Sequence, residues 1–292
     1  MRYLLENEAL RVEVDSFGAE VKSVKCKDDG LEYMWHGDPK YWGRTSPVLF
    51  PFVGAVRDKK YCYEGETYAM GQHGFARDME FTLEKKEGNQ LWFFLSSDEE
   101  TMAKYPFAFR LHVGYKLQGH ELCVFWKVEN TDDKTMYFSI GAHPAFLCPI
   151  HGEADKYGYG LRFHGLTDGV HHHGNTPEGL AVMKDEILPL KDGTVTFTPG
   201  FFDKCTYMVE GKQTGEVSLL DTSGKAYVTV SFDAPLFAVW SPEGKEAPFV
   251  CIEPWYGRCD AVDFEGGIAE RDYEQTLAAD GSFEASYRIR FA

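Results

Sequence analysis

Three short stretches combine an ionisable side chain with backbone punctuation that fixes where it can point. In "IGAHPAF", residues 140–146, His143 ends a run of small and apolar residues and precedes Pro144. In "PFVCIEPWYGRCD" Glu253 closes the apolar run 249–252 and precedes Pro254, with Trp255 and Tyr256 beside it. In "MGQHGFARD" His73 precedes Gly74, and Arg77 lies four residues on. A residue before proline is pushed out of the α region into extended geometry. Proline cannot donate to a sheet ladder, so it belongs at an edge, a bulge or a strand end. His143 and Glu253 are therefore expected at the ends of strands whose preceding residues are buried. Gly74 permits a sharp turn with positive φ, which lets the chain beside His73 approach a ligand closely. Arg77 offers a forked donor to hydroxyls or a carboxylate.

Each stretch also has a plain structural reading. His143 can be a core histidine satisfied by a backbone carbonyl, and His73 a turn histidine with a surface arginine nearby. Glu253 can pair with Arg258. That reading is weakest for Glu253, because burying an unpaired carboxylate costs several kcal/mol. Desolvation raises a carboxyl pKa toward the range where it serves as a base near neutrality. Two histidines and a glutamate suit two chemistries. One is a non-haem iron site of two histidines and a carboxylate. The other is metal-free acid–base catalysis, in which a carboxylate removes one proton while an imidazole delivers another. Residue types alone leave both open.

The elements that must carry these groups read as strands. "EASYRIRF" alternates, with Ala285, Tyr287, Ile289 and Phe291 on one face, and "LRVEVD" and "AYVTVSF" do the same. Such period-2 runs mark strands with one buried face. "HVGYKLQGHELCVFWKVEN" reads as a hairpin turning at Gln118–Gly119. Helical signal is confined to "SSDEETMAKYPF", stopped by Pro106, and to a turn or short helix in "HGEADKYG" and "GIAERDYEQTL". With no βαβ alternation, repeat or linker, the expectation is an all-β fold. We expect one large antiparallel β-sandwich domain over residues 1–292, with twenty-odd short strands and few helices. Residues 149–199 look irregular, and His171–His173 in "VHHHGN" read as a solvated loop.

Composition narrows the function classes. Forty-six acidic against thirty basic residues leave a formal charge of −16, which disfavours nucleic acid and anionic membranes as partners. Seven cysteines without a CxxC pair fit a reduced, cytoplasmic protein. The first residues, "MRYLLENEAL", hold no signal-peptide core, and no run is long enough to span a membrane.

Taken in order and at their separations, "QHGFARD", "SIGAHPAF" and "IEPWYGRCD" resemble the aldose 1-epimerases (galactose mutarotases), in particular their bacterial epimerase-like branch. The resemblance runs from "LRVEVDSFGAEVKSV" to the final "ASYRIRF". It implies a galactose-mutarotase-like supersandwich and an isomerase interconverting the α and β anomers of an aldohexose or related sugar. It assigns Glu253 as the base at the anomeric hydroxyl, His143 as the acid at the ring oxygen, and His73 as the residue that positions and polarises the sugar. No metal and no organic cofactor is implied, and the partner is a small sugar, on a monomer or homodimer. By the same resemblance Asp203 in "FFDKCTYMV" holds sugar hydroxyls. Relatives carry an arginine directly after the glycine of "FPFVG"; here Ala55 stands there and Arg57 two residues on. In an extended strand positions 55 and 57 share a face, so Arg57 is expected to substitute. Phe146, Trp240 and Trp255 are candidate stacking surfaces for a pyranose. A hexose-6-phosphate mutarotase is the alternative within the fold, and a cluster from Arg44, Arg57, Arg77 and Lys204 would mark it. A non-catalytic carbohydrate sensor is the alternative outside enzymes.

Overall fold

The computed structural model describes residues 1–204 and 206–292; Cys205, one of the seven cysteines, lies outside the described residues. Twenty-four strands, one α-helix and three 3-10 turns occur among the described residues. Two large antiparallel sheets hold most of them. A nine-stranded sheet runs in the order 194–196, 160–163, 216–220, 226–232, 282–291, 121–130, 109–118, 90–96 and 82–87. An eight-stranded sheet runs 181–189, 169–175, 207–210, 236–240, 249–256, 140–142 and 48–49, with strand 145–147 also on 249–256. A three-stranded sheet at the N-terminus (2–6, 10–15, 20–26) adds to the core.

Alternation decides which side chains fill that core. Val228, Val230 and Phe232 are buried there with Tyr287, Ile289 and Phe291 from the neighbouring strand. From the eight-stranded sheet Val250, Ile252, Phe237, Val239 and Phe146 enter the same core. The expected hairpin closes with Gln118 paired to Glu121. The helix is Glu99–Lys104, capped by the Asp98 side chain accepting from Thr101 N at 2.8 Å.

The sequence expectations fail in two places. Residues 149–199 carry four strands, Gly160–Phe163, Gly169–Asn175, Ala181–Pro189 and Thr194–Thr196. "VHHHGN" is therefore strand, and alternation splits its histidines. His171 points out to Asp185, while His172 is buried against the Tyr207 ring, 4.9 Å between centroids. Glu253 is not at a strand end. Strand Phe249–Tyr256 continues through Pro254. Among the described residues no helix is long and apolar enough to cross a membrane.

Candidate active site

Pairing register brings the two proline-flanked residues together. Strand 140–142 pairs Gly141 with Trp255, and after a gap strand 145–147 pairs Ala145 with Cys251. Carried through the gap, that register sets His143 directly opposite Glu253. Both prolines fall at the gap between these two pairings, while on its other side Pro254 stays in the ladder opposite Phe237. On the other side of Glu253 the partner is Ala238, whose methyl leaves room above the sheet. One face of this sheet thus presents Glu253, His143, Ala238, Trp255 and Trp240, while the opposite face feeds the core.

The His143 Nε2–Glu253 Oε2 separation is 3.3 Å, and both side chains are almost fully buried. The angles do not make this a hydrogen bond: among the described residues both Glu253 oxygens and His143 Nδ1 lack a hydrogen-bond partner. They border a pocket of about 500 Å³ lined by Trp42, Arg44, Gln72, His73, Arg77, Asn175, Thr206, Trp240, Lys245 and Trp255, among others. Such a volume lies in the range of small-molecule sites. Polar atoms left open on the wall of a pocket are the mark of a site awaiting a ligand.

Aromatic rings box the histidine. Trp42 stacks on it at 4.6 Å and 28°, and Trp240 meets it edge-on at 5.2 Å. The loop carrying Trp42 and Arg44 is pinned by Glu20, whose buried Oε1 accepts from the N–H groups of Thr45 (2.6 Å) and Ser46 (2.8 Å). Trp35 Nε1 donates to the Trp42 carbonyl at 2.9 Å.

His73 takes φ +65° and Gly74 φ +68°, the turn read from the sequence. A Cβ on Gly74 would lie 2.3 Å from the Phe50 carbonyl oxygen, so only glycine fits. Gly54 N donates to His73 Nδ1 at 3.0 Å. The neutral ring therefore carries its proton on Nε2, a donor available to a ligand. Arg77 is held by its Nη2 donating to Gln72 O at 2.7 Å, and its Nε lacks a hydrogen-bond partner. Arg44 Nη2 pairs with Asp78 at 2.8 Å, and Asp78 also lies 3.8 Å from Arg77 Nε.

Burial dominates the electrostatics. It pushes Glu253 well above the ordinary carboxyl range. It pulls His143 well down, helped by the Arg77 and Arg44 charges, and pulls His73 well down, helped by His143. Both shifts favour the uncharged forms, a carboxyl at Glu253 and a neutral imidazole at His143.

The sequence-predicted site residues thus divide. Glu253, His143, His73, Arg77, Trp240 and Trp255 share the pocket. Arg57 does not reach it: the chain turns into a 3-10 segment there, and its Nη1 donates to Phe264 O at 2.9 Å beside Glu265. Phe146 is fully buried in the inter-sheet core, because an odd separation from His143 places it on the other face. Asp203 lies outside the pocket, where its Oδ1 accepts from Gly244 N at 2.9 Å and holds the 242–245 loop that lines it. Of the expected basic cluster, Arg44 and Arg77 line the pocket, joined by Lys245; Lys204 does not. The iron-type triad is not assembled either, since among the described residues the ligand cluster at this site is His143, Cys251 and Glu253, without His73. Sequence reasoning missed Trp42, Asn175 and Thr206. Only Trp42 left a signal, an aromatic beside Arg44 in a segment without periodicity.

A family model for aldose 1-epimerase matches residues 1–290. The chain belongs to the aldose 1-epimerase family. It is 33% identical over 275 residues to protein LacX (chromosomal) of Lactococcus lactis subsp. lactis, covering 91% of each chain. A galactose mutarotase related enzyme from Lactobacillus acidophilus has the same fold, with TM-score 0.93, 32% identity and coverage of 100% of this chain and 97% of that one. A galactose mutarotase-like protein from Lactobacillus casei ATCC 334 superimposes with TM-score 0.94 at 28% identity over the full length of both. Family membership supports a carbohydrate epimerase.

Proposed function

We propose that the protein is an aldose 1-epimerase that interconverts sugar anomers by acid–base ring opening. The observation that carries this reading is the cross-strand His143–Glu253 pair on the pocket wall, with both Glu253 oxygens and His143 Nδ1 unpartnered among the described residues. In the reacting form the proton of the pair has passed from Glu253 to His143, 3.3 Å away. Glu253 then takes the proton from the anomeric hydroxyl as His143 protonates the ring oxygen, and the C1–O5 bond breaks to give the aldehyde. Rotation about C1–C2 and closure return both protons by the reverse transfers, now from Glu253 to the carbonyl oxygen and from the C5 hydroxyl to His143. The shared single proton suits this exchange, because each half-reaction moves it from one partner to the other through the sugar. His73 Nε2 and Arg77 orient hydroxyls, and Trp240 and Trp255 offer faces to the apolar side of a pyranose.

Arg44, Arg77 and Lys245 on the pocket wall favour a second reading within the same chemistry, a sugar phosphate as substrate. Polarimetry on freshly dissolved α-glucose, α-galactose and their 6-phosphates tests both. Acceleration over buffer is expected, and Glu253→Gln should lower it ~10²–10⁴-fold. Acceleration confined to the phosphates, lost in Arg77→Ala, would select the second reading. Sugar binding without anomerisation would refute both and leave a carbohydrate-binding protein.

A further inference from the structure

Glu253 is preceded on its own face, two residues back in the strand, by a cysteine. Cys251 is fully buried, pairs across the sheet with Ala145 and Trp240, and is a free thiol. One ligand atom each from His143, Cys251 and Glu253 lie within 4.8 Å of one another. We propose that this trio is a binding site for a thiophilic divalent cation of the zinc class, and that the bound ion switches the catalytic pair off.

The geometry and the donor set agree. Ligands about 2.0–2.1 Å from a tetrahedral centre stand roughly 3.3–3.4 Å apart. His143 Nε2 and Glu253 Oε2 are 3.3 Å apart without a hydrogen bond between them. The thiol closes a third corner from below, and the fourth faces the pocket, where water or a sugar hydroxyl completes the shell. An imidazole, a thiolate and a carboxylate are the ligand types that select zinc over magnesium or calcium. Charge reinforces the choice. A divalent ion with one thiolate, one carboxylate and a neutral imidazole is neutral overall, whereas either anion alone in this buried wall is unfavourable. His73 stays outside, because its Nδ1 already accepts from Gly54 N. The ion reaches the site through the pocket that His143 and Glu253 line.

The cation is an inhibitor here, not a cofactor, since it occupies the atoms that must carry protons; that consequence rests on the proposed epimerase reading, while the site itself does not. The probe is Co²⁺, titrated into the reduced, tag-free full chain. Expected are tetrahedral visible bands and a near-ultraviolet sulfur-to-cobalt band at one equivalent, displaced by Zn²⁺ and not by Mg²⁺. Cys251→Ser, or Cys251→Ala should the serine variant unfold, should lose the sulfur band. Zn²⁺ should suppress anomerisation and EDTA restore it, and the Cys251 variants should keep their basal rate while requiring ~10–100-fold more Zn²⁺. Cobalt binding without a sulfur band, a band that survives Cys251 replacement, or equal Zn²⁺ sensitivity of variant and wild type would each overturn the proposal. Because the spectra need no turnover, an absence of anomerisation would count against the epimerase reading alone.

Discussion

Glutamine at position 253 should make the protein more stable at neutral pH while removing its chemistry. Burial raises the Glu253 carboxyl well above its ordinary value of 4.5. Between the unfolded and folded pKa the native state binds a proton that the unfolded chain has released, so stability falls as pH rises, by about 1.4 kcal/mol per unit. The penalty relative to a neutral side chain therefore grows between pH 5 and pH 7, at no more than that slope. Glutamine has nearly the same shape and no charge. Burying its amide unpartnered carries a cost of its own, but that cost is the same at both pH values. Unfolded-state titration of the histidines is common to both proteins and cancels. Urea denaturation of wild type and Glu253→Gln at pH 5 and 7 should therefore show the variant's relative stability rising between them, by no more than about 3 kcal/mol over the two units. A difference that is flat, or that grows toward acid, would mean Glu253 is an ionised carboxylate satisfied by a protonated His143. The argument from burial would then be wrong.

Two further substitutions test the supports of the site. Trp42→Ala removes the ring stacked 4.6 Å from His143 and admits water to it. The pKa of His143 should climb back toward 6.5. The corresponding limb of the polarimetric pH–rate profile should move up with it, with kcat/KM reduced ~2–10-fold from the lost stacking; an unmoved limb would deny Trp42 its part in desolvation. Gly74→Ala should be far more damaging than Gly65→Ala. Both glycines have positive φ, but a Cβ at 74 meets the Phe50 carbonyl while one at 65 meets nothing within 4 Å. Strain alone is worth about 1–2 kcal/mol, so urea midpoints reduced equally in the two variants would show that the close approach at Phe50 is not needed.

The sequence was most informative where backbone chemistry and side-chain chemistry coincide. A proline after His143 and another after Glu253 signalled residues held extended, and the ladder shows them facing each other across an interrupted pairing. The turn at His73–Gly74 was equally legible, since glycine is what a close carbonyl demands. Parity was available too: Phe146 lies three residues from His143, and an odd separation along an extended chain changes face. Arg57 defeated the same rule because the chain there is not extended; Asp58 takes φ +54° and the segment coils into a 3-10 turn. The strands of residues 149–199 were hidden by their polarity. Ala181–Pro189 is an edge strand that buries few of its residues, so it shows no hydrophobic period. Asn175 and Thr206 join the pocket through long-range pairing of short strands, and no local pattern encodes that.

Under the proposed mechanism, proton transfer and substrate recognition rest on different kinds of backbone. Glu253 projects from a strand in the middle of a sheet and His143 from the two-residue gap between two strands paired to it, whereas Trp42, Arg44, Arg77 and Lys245 come from connecting segments around it. The loops are held by a few polar tethers, Glu20, Trp35 and Asp78 for one and Asp203 for another. Changing a loop can therefore alter which sugar fits without moving the two groups that exchange its proton. For an engineer this makes the scaffold divisible: specificity can be redrawn at the rim in small steps, each tested against an unchanged reaction centre.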